Sequence, residues 1–401
     1  MRTGLTLSCA CLALGFTLAG ATVATAQQPV RIGVIDDLSG MYSANGGPNT
    51  VLATQMAVED FGGKVLDRPI EVISADHQNK PDIGSTLARQ FVDERGVVAV
   101  VNGGASSVGL AIQTYAKQRK FTTLISGGYA ANFSGTGCSP YGTQWAPSTG
   151  ELANAVAEAV VKGGGKKWYL LTADYVFGHN LSADATKAVK AAGGEVVGET
   201  RHPLGTADMS SPLLTAQASG ADVIGLANAG PDLVNTIKQA REFGVSSKLI
   251  SMLVFANNVV ALGLDTAQGL RFAVNFYWDA NDDTRAWAKR FMARNGNQVP
   301  TMGHALAYIA TTHYLRAVAE AKTTEPAAVD KAMKALPITG GMLKNPRIQS
   351  NGRVTMDMYL VEVKSPKDSK GPADIYRIVD TIPAEKLFLS PEKSGCPHTA
   401  G

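Results

Sequence analysis

Two turns within residues 97–131 combine the residue types that bind small polar groups. A β-branched run over 97–101 ends in Asn102-Gly103-Gly104-Ala105-Ser106-Ser107, and a second run over 121–125 ends in Ser126-Gly127-Gly128. Glycine lets a ligand approach the backbone, and the hydroxyls of Ser106 and Ser107 can cap a following helix or donate to a bound group. Where a strand ends and a helix begins, free N–H groups and the positive helix terminus favour an anion such as a carboxylate. Ordinary loops use the same residues as caps and turns, so residue type alone leaves both uses open.

Patterns that would add bond-making chemistry are missing. Gly104-Ala105-Ser106-Ser107-Val108 places Val108 where a nucleophile elbow needs glycine. The 6 histidines show no paired ligand spacing, and no His-Glu-x-x-His run occurs. Asp279-Ala280-Asn281-Asp282-Asp283 opens like a calcium loop but continues with Thr284 where glycine is needed and Arg290 where glutamate is needed. Gly163-Gly164-Gly165-Lys166-Lys167 ends in lysine where a phosphate loop needs serine or threonine, and the first strand-to-helix turn lacks the dinucleotide glycine pattern. The expectation is binding with no cofactor, no metal and no catalytic residue.

The elements that must position these turns alternate. Short apolar strands over 30–35, 70–74, 97–101 and 121–125 are separated by helical stretches, which predicts a parallel sheet covered by helices. A second series begins near Ser148, with strands over 168–171, 195–199, 222–226, 248–252 and 270–274. Helices over 284–294, 304–322 and 326–336 then lead through a polar, turn-rich stretch at 349–353 to a strand over 358–363. The fold class is therefore α/β, with the same pattern twice, and 401 residues exceed what one core usually supports.

Arg2, an apolar run over 5–18 and Ala24-Thr25-Ala26 describe a secretory signal over residues 1–26, with a mature start at Gln27. No later apolar run reaches membrane-spanning length. With 37 basic and 34 acidic residues and no basic cluster, nucleic acid is not an expected partner. Of the 4 cysteines only Cys138 and Cys396 follow the signal, and in an oxidising compartment they are expected to form a disulfide.

The element order, the opening Ile32-Gly33-Val34-Ile35-Asp36-Asp37-Leu38-Ser39-Gly40, the turn Leu124-Ile125-Ser126-Gly127-Gly128 and the loop Asp174-Tyr175-Val176-Phe177-Gly178 resemble the type I periplasmic solute-binding proteins. Closest are those serving branched-chain amino-acid-type ABC transporters, the leucine/isoleucine/valine-binding kind and its aromatic-carboxylate subgroup. The resemblance implies a periplasmic, monomeric receptor that delivers a small-molecule ligand to an inner-membrane permease. It implies two Rossmann-like lobes, residues 27–145 with 277–352 and residues 146–276 with 353–401. Crossing strands near 143–147, 275–278 and 350–357 would join them, and ligand would be enclosed by a hinge motion.

Carried over, the ligand carboxylate would meet Ser106 or Ser107 and the turn Gly128, Tyr129 and Ala130. Tyr42 and Asn45 of the first loop, with Tyr175, Phe177, Asn228 and Phe255 of the second half, match further pocket positions. One departure bears on the ligand. Amino-acid binders of the family place an acidic residue near 252–255 for the ligand ammonium, whereas this chain reads Met252-Leu253-Val254-Phe255. An unpaired buried ammonium costs several kcal/mol, so an aromatic or apolar carboxylate is the expected ligand. A branched-chain amino acid is the runner-up, and a secreted α/β hydrolase the rival of another class.

Overall fold

The computed structural model describes residues 28–398 together with Met1 and Gly4, so the secretory signal expected over residues 1–26 lies outside the described residues apart from those two. In the first lobe, β1 (Val30–Asp36), α1 (Pro48–Asp60), β2 (Lys64–Val65), β3 (Arg68–Asp76), α2 (Pro81–Arg89), β4 (Val97–Asn102), α3 (Ser106–Arg119), β5 (Thr122–Ile125) and β6 (Gly142–Gln144) follow in order. The sheet order is β2-β3-β1-β4-β5-β6, parallel except for β2. Helices on both faces bury its central strands, which is why β4 reads as the unbroken run VVAVVN rather than as an alternation.

The chain then crosses to a second lobe. Its elements are α4 (Thr149–Lys162), β7 (Lys167–Ala173), α5 (Val176–Ala191), β8 (Glu195–His202), α6 (Ser210–Ala218), β9 (Val223–Ala227), α7 (Gly230–Glu242), β10 (Lys248–Ser251), α8 (Ala256–Leu262) and α9 (Leu264–Ala267). Its sheet runs β10-β9-β7-β8, all parallel. Strand β9, VIGLA, is buried at every residue, whereas the edge strand β8 alternates between exposed and half-buried positions.

After β11 (Arg271–Val274) the chain forms α10 (Asp282–Arg294), α11 (Met302–Ala321) and α12 (Pro326–Ala335). Helix α11 packs on α1, and Arg290 and Arg294 pair with Asp60 and Glu59, which fixes this helical group to the first lobe. Strands β12 (Lys344–Ile348), β13 (Val354–Val363) and β14 (Tyr376–Ile382) follow, then α13 (Ala384–Leu387) against α4. The stretch at 270–274, read from sequence as the last strand of the second parallel series, instead pairs antiparallel with β13, and β13 also takes β12 and β14 antiparallel. The turn-rich residues 349–353 make the tight turn between β12 and β13.

The first and third crossings run side by side. Gln144 bridges Arg353 in parallel, and its N–H donates to Gly352 O at 2.8 Å. Gly352 has φ 78°, and a Cβ there would lie 2.1 Å from Gly142 O, so only glycine permits this approach. Arg353 is 3% exposed, donates to Ala146 O at 2.8 Å, forms an ion pair with Glu151 and lies over the Phe388 ring at 5.1 Å. The expected disulfide is present. Cys138 and Cys396 are joined with Cα atoms 5.7 Å apart, which returns the end of the tail to the first-lobe loop.

Candidate functional site

Strand C-termini and helix N-termini of both lobes meet around one narrow cavity. From the first lobe come Tyr42, Asn45, Gly46, Thr50, the two glycine turns, Ser106, Ser126, Tyr129 and Gly303; from the second come Tyr175, Phe177, Ala229, Leu253 and Phe255. None of these side chains is charged. The starts of six helices reach it: α1 at Gly46 and Thr50, α3 at Ser106, α5 at Tyr175 and Phe177, α7 at Ala229, α8 at Phe255 and α11 at Gly303. Helix N-termini carry partial positive charge and unpaired N–H groups, so the cavity favours an anion although it holds no cation.

The first-lobe floor is anchored from below. Asp36, fully buried at the end of β1, accepts the N–H groups of Asp37 at 2.7 Å and Gly47 at 2.9 Å, and burial raises its pKa above the usual carboxylate range. A Cβ on Gly103 or Gly104 would meet that carboxylate at 2.3 or 2.7 Å, so these glycines make room for Asp36 as much as for any ligand. Likewise a Cβ on Gly127 would lie 2.7 Å from Gly104 N, so the two turns lie against each other. His304 of α11 accepts Thr301 N–H through Nδ1, leaving Nε2–H to donate to Gly46 O at 3.0 Å; burial pushes its pKa down to about 4, and the ring is neutral. The Thr301 hydroxyl donates to Asn45 O at 2.7 Å, so α11 holds the first loop in place.

The turn after β5 is arranged for donation. Tyr129 and Ala130 N–H groups point at Ser106 Oγ, at 3.2 and 3.1 Å, and Ser106 keeps its own proton to donate. The hydroxyls of Ser126 and Tyr129, in residues 1% and 4% exposed, have no hydrogen-bond partner among the described residues. Burial raises the Tyr129 pKa, so the phenol stays protonated. Across the cleft the Tyr129 ring meets Phe177 and Phe255 edge-on, with centroids 6.5 and 5.6 Å apart.

Two contacts draw the lobes together. Tyr42 Oη donates to Tyr175 Oη at 2.9 Å, and Asn257 Nδ2 donates to Asn45 Oδ1 at 2.9 Å. Burial raises both phenol pKa values, and the nearby Asp232 carboxylate adds to the effect. Asp232 itself does not line the cavity; its Oδ2 accepts Gly205 N–H at 3.2 Å and its Oδ1 has no hydrogen-bond partner.

A family model described as periplasmic binding protein matches residues 29–371. The chain belongs to the periplasmic binding protein family. A crystal structure of a periplasmic binding protein from Burkholderia mallei is 42% identical, with TM-score 0.90 over 92% of this chain and 99% of that one. A branched chain amino acid ABC transporter periplasmic ligand-binding protein from Burkholderia xenovorans is 36% identical, with TM-score 0.83 over 92% and 100% of the two chains. A solute binding protein from R. palustris in complex with benzoate shares the fold at 19% identity, with TM-score 0.81 over 92% and 99%. Leu/Ile/Val-binding protein homolog 6 of Brucella melitensis is 29% identical over 229 residues, 56% of this chain and 57% of that protein, so the match spans little more than half of the relative's length.

In this periplasmic binding protein the cavity gathers Tyr42, Asn45, Ser106, Tyr129, Tyr175, Phe177 and Phe255 from the positions that sequence singles out. Four others lie outside its lining. Ser107 is half-buried one position further along α3, and the Gly128 and Ala130 carbonyls turn away to Gln144. Asn228 points into the second lobe, where it donates to His202 Nε2 at 3.2 Å and Thr236 Oγ1 at 3.1 Å; its neighbour Ala229 takes the cavity position. Sequence reasoning passed over Thr50, Ser126, Gly127, Leu253 and Gly303. Of these, Ser126 and Gly127 stood within the Ser-Gly-Gly turn, and Leu253 within the 252–255 segment.

Proposed function

We propose that this protein is the solute receptor of an ABC importer, that it works in the periplasm as a monomer, and that its ligand is a small aromatic or apolar carboxylate. The observation that carries this reading is an uncharged cavity, aromatic on its second-lobe side, into which the starts of six helices converge. The ligand carboxylate docks on the first lobe, taking the proton of the Ser106 hydroxyl that the Tyr129 and Ala130 N–H groups orient. Tyr129, Phe177 and Phe255 cover the body. The lobes divide at the crossings, residues 27–145 with 277–352 and 146–276 with 353–401, and closure brings Tyr42 against Tyr175. The membrane permease then recognises the closed form, and no bond in the ligand is broken.

The fold is shared by proteins that hold different ligands, so the lining decides between them. A leucine ammonium would enter a cavity with no acid on its wall. Native mass spectrometry of freshly purified protein tests the reading: a co-purified aromatic or aliphatic acid, unchanged in mass after prolonged incubation, is the expected result. A co-purified amino acid, or a ligand converted to a product of different mass, contradicts it.

A further inference from the structure

The donors at the ligand turn are aimed from the hinge. A trans peptide group points its C=O and N–H in opposite directions, so holding one fixes the other, and the described residues contain no cis peptide. In the peptide joining Gly128 and Tyr129, the Gly128 carbonyl accepts Gln144 Nε2–H at 3.0 Å while the Tyr129 N–H faces Ser106. The next peptide repeats the arrangement: the Tyr129 carbonyl accepts Thr149 N–H at 2.8 Å while the Ala130 N–H faces Ser106. Gln144 ends β6 just before the first crossing, and Thr149 begins α4 just after it.

The Gln144 side chain is 1% exposed and every polar atom is used. Nε2 also donates to Ala130 O at 3.0 Å, and Oε1 accepts the Ser134 hydroxyl at 2.8 Å. Its backbone N–H is bonded to Gly352 of the third crossing. One residue thus touches two crossing strands and the back of the Gly128–Tyr129 peptide, whose N–H faces Ser106 at the cavity wall.

We propose that Gln144 is a positioning residue that fixes the Tyr129 N–H, and through it the Ser106 hydroxyl at the cavity wall, from the hinge, so that rotation of the crossing strands and alignment of the site move together. This rests on the carboxylate-docking reading above only for its consequence in affinity. Gln144→Met keeps the length of the side chain and removes both donors. In the ligand-free variant, amide hydrogen exchange at Tyr129 is expected to quicken by about tenfold, with protection in β1 and β4 unchanged. Titration with benzoate should show about tenfold weaker binding.

Ser134→Ala, which releases only the Oε1 contact, should speed the same exchange by about threefold, and it serves if the methionine variant does not fold. Unchanged exchange at Tyr129 in a folded variant overturns the proposal whatever benzoate does. Should wild-type protein not bind benzoate, the ligand reading falls, and the exchange measurement still decides the role of Gln144.

Discussion

Arg353→Met is expected to lower the free energy of unfolding by about 3–5 kcal/mol, because the change leaves the Glu151 carboxylate buried without its partner. The guanidinium and the carboxylate are 3% and 7% exposed, and burial lowers the Arg353 pKa while Glu151 opposes that shift. Glu151 also accepts Ser148 N–H as part of the α4 capping box, so its charge cannot move to water without unwinding the start of that helix. Replacing both partners, as Arg353→Met with Glu151→Leu, removes the uncompensated charge and should recover much of the loss, less the cap. Urea unfolding of the three variants checks this. A loss under about 1 kcal/mol for Arg353→Met would mean that the pair is hydrated and does not clamp the crossing.

Leu253→Glu is expected to weaken binding of an aromatic carboxylate by about 100-fold or more. Leu253 lines the cavity from the second lobe, and the wall offers no cation to neutralise an added carboxylate. Two like charges about 5 Å apart at an effective dielectric near 20 repel by about 3 kcal/mol. The same substitution restores the acid that amino-acid binders place in this segment, so leucine affinity should rise as benzoate affinity falls. Calorimetric titration of both ligands reads the two changes. Undiminished benzoate binding would place the anion elsewhere.

Much of the fold is legible in the sequence because parallel strands buried on both faces must be apolar throughout, and such runs stand out in a chain with 45% hydrophobic residues. Antiparallel pairing of 271–274 with β13 is not legible locally, since pairing depends on a partner about ninety residues away. At the site the errors are mostly of one residue. Asn228 and Ala229 leave β9 on opposite sides, as neighbours in extended chain do, so only one faces the cavity. Gly127 and Tyr129 face it while the carbonyls of Gly128 and Ala130 face Gln144, and Ser106 rather than Ser107 meets that turn. Gly303 had no local signal at all: it reaches the cavity because α11 packs on α1, a contact between segments some 250 residues apart.

Asp36 shows why glycine spacing alone is ambiguous. Gly103 and Gly104 are required by the carboxylate beneath them, a demand of folding, and they also leave the cavity floor open. What favours the proposed binding role over an ordinary turn is the pair of buried hydroxyls of Ser126 and Tyr129 at the same surface, without partners among the described residues. An unsatisfied buried hydroxyl costs about 1–3 kcal/mol, which a ligand with hydrogen-bonding capacity can relieve.

Parallel calorimetric titrations with benzoate and with leucine on wild-type protein test the central claim most directly, because both carry a carboxylate and only leucine carries an ammonium. An uncharged cavity at helix N-termini predicts that benzoate binds and that leucine binds at least about 100-fold more weakly, the cost of a buried ammonium without a partner. Leucine binding as tightly as benzoate or more tightly would contradict it, and would point to the unpartnered Asp232 Oδ1 behind the tyrosine pair as the missing acid.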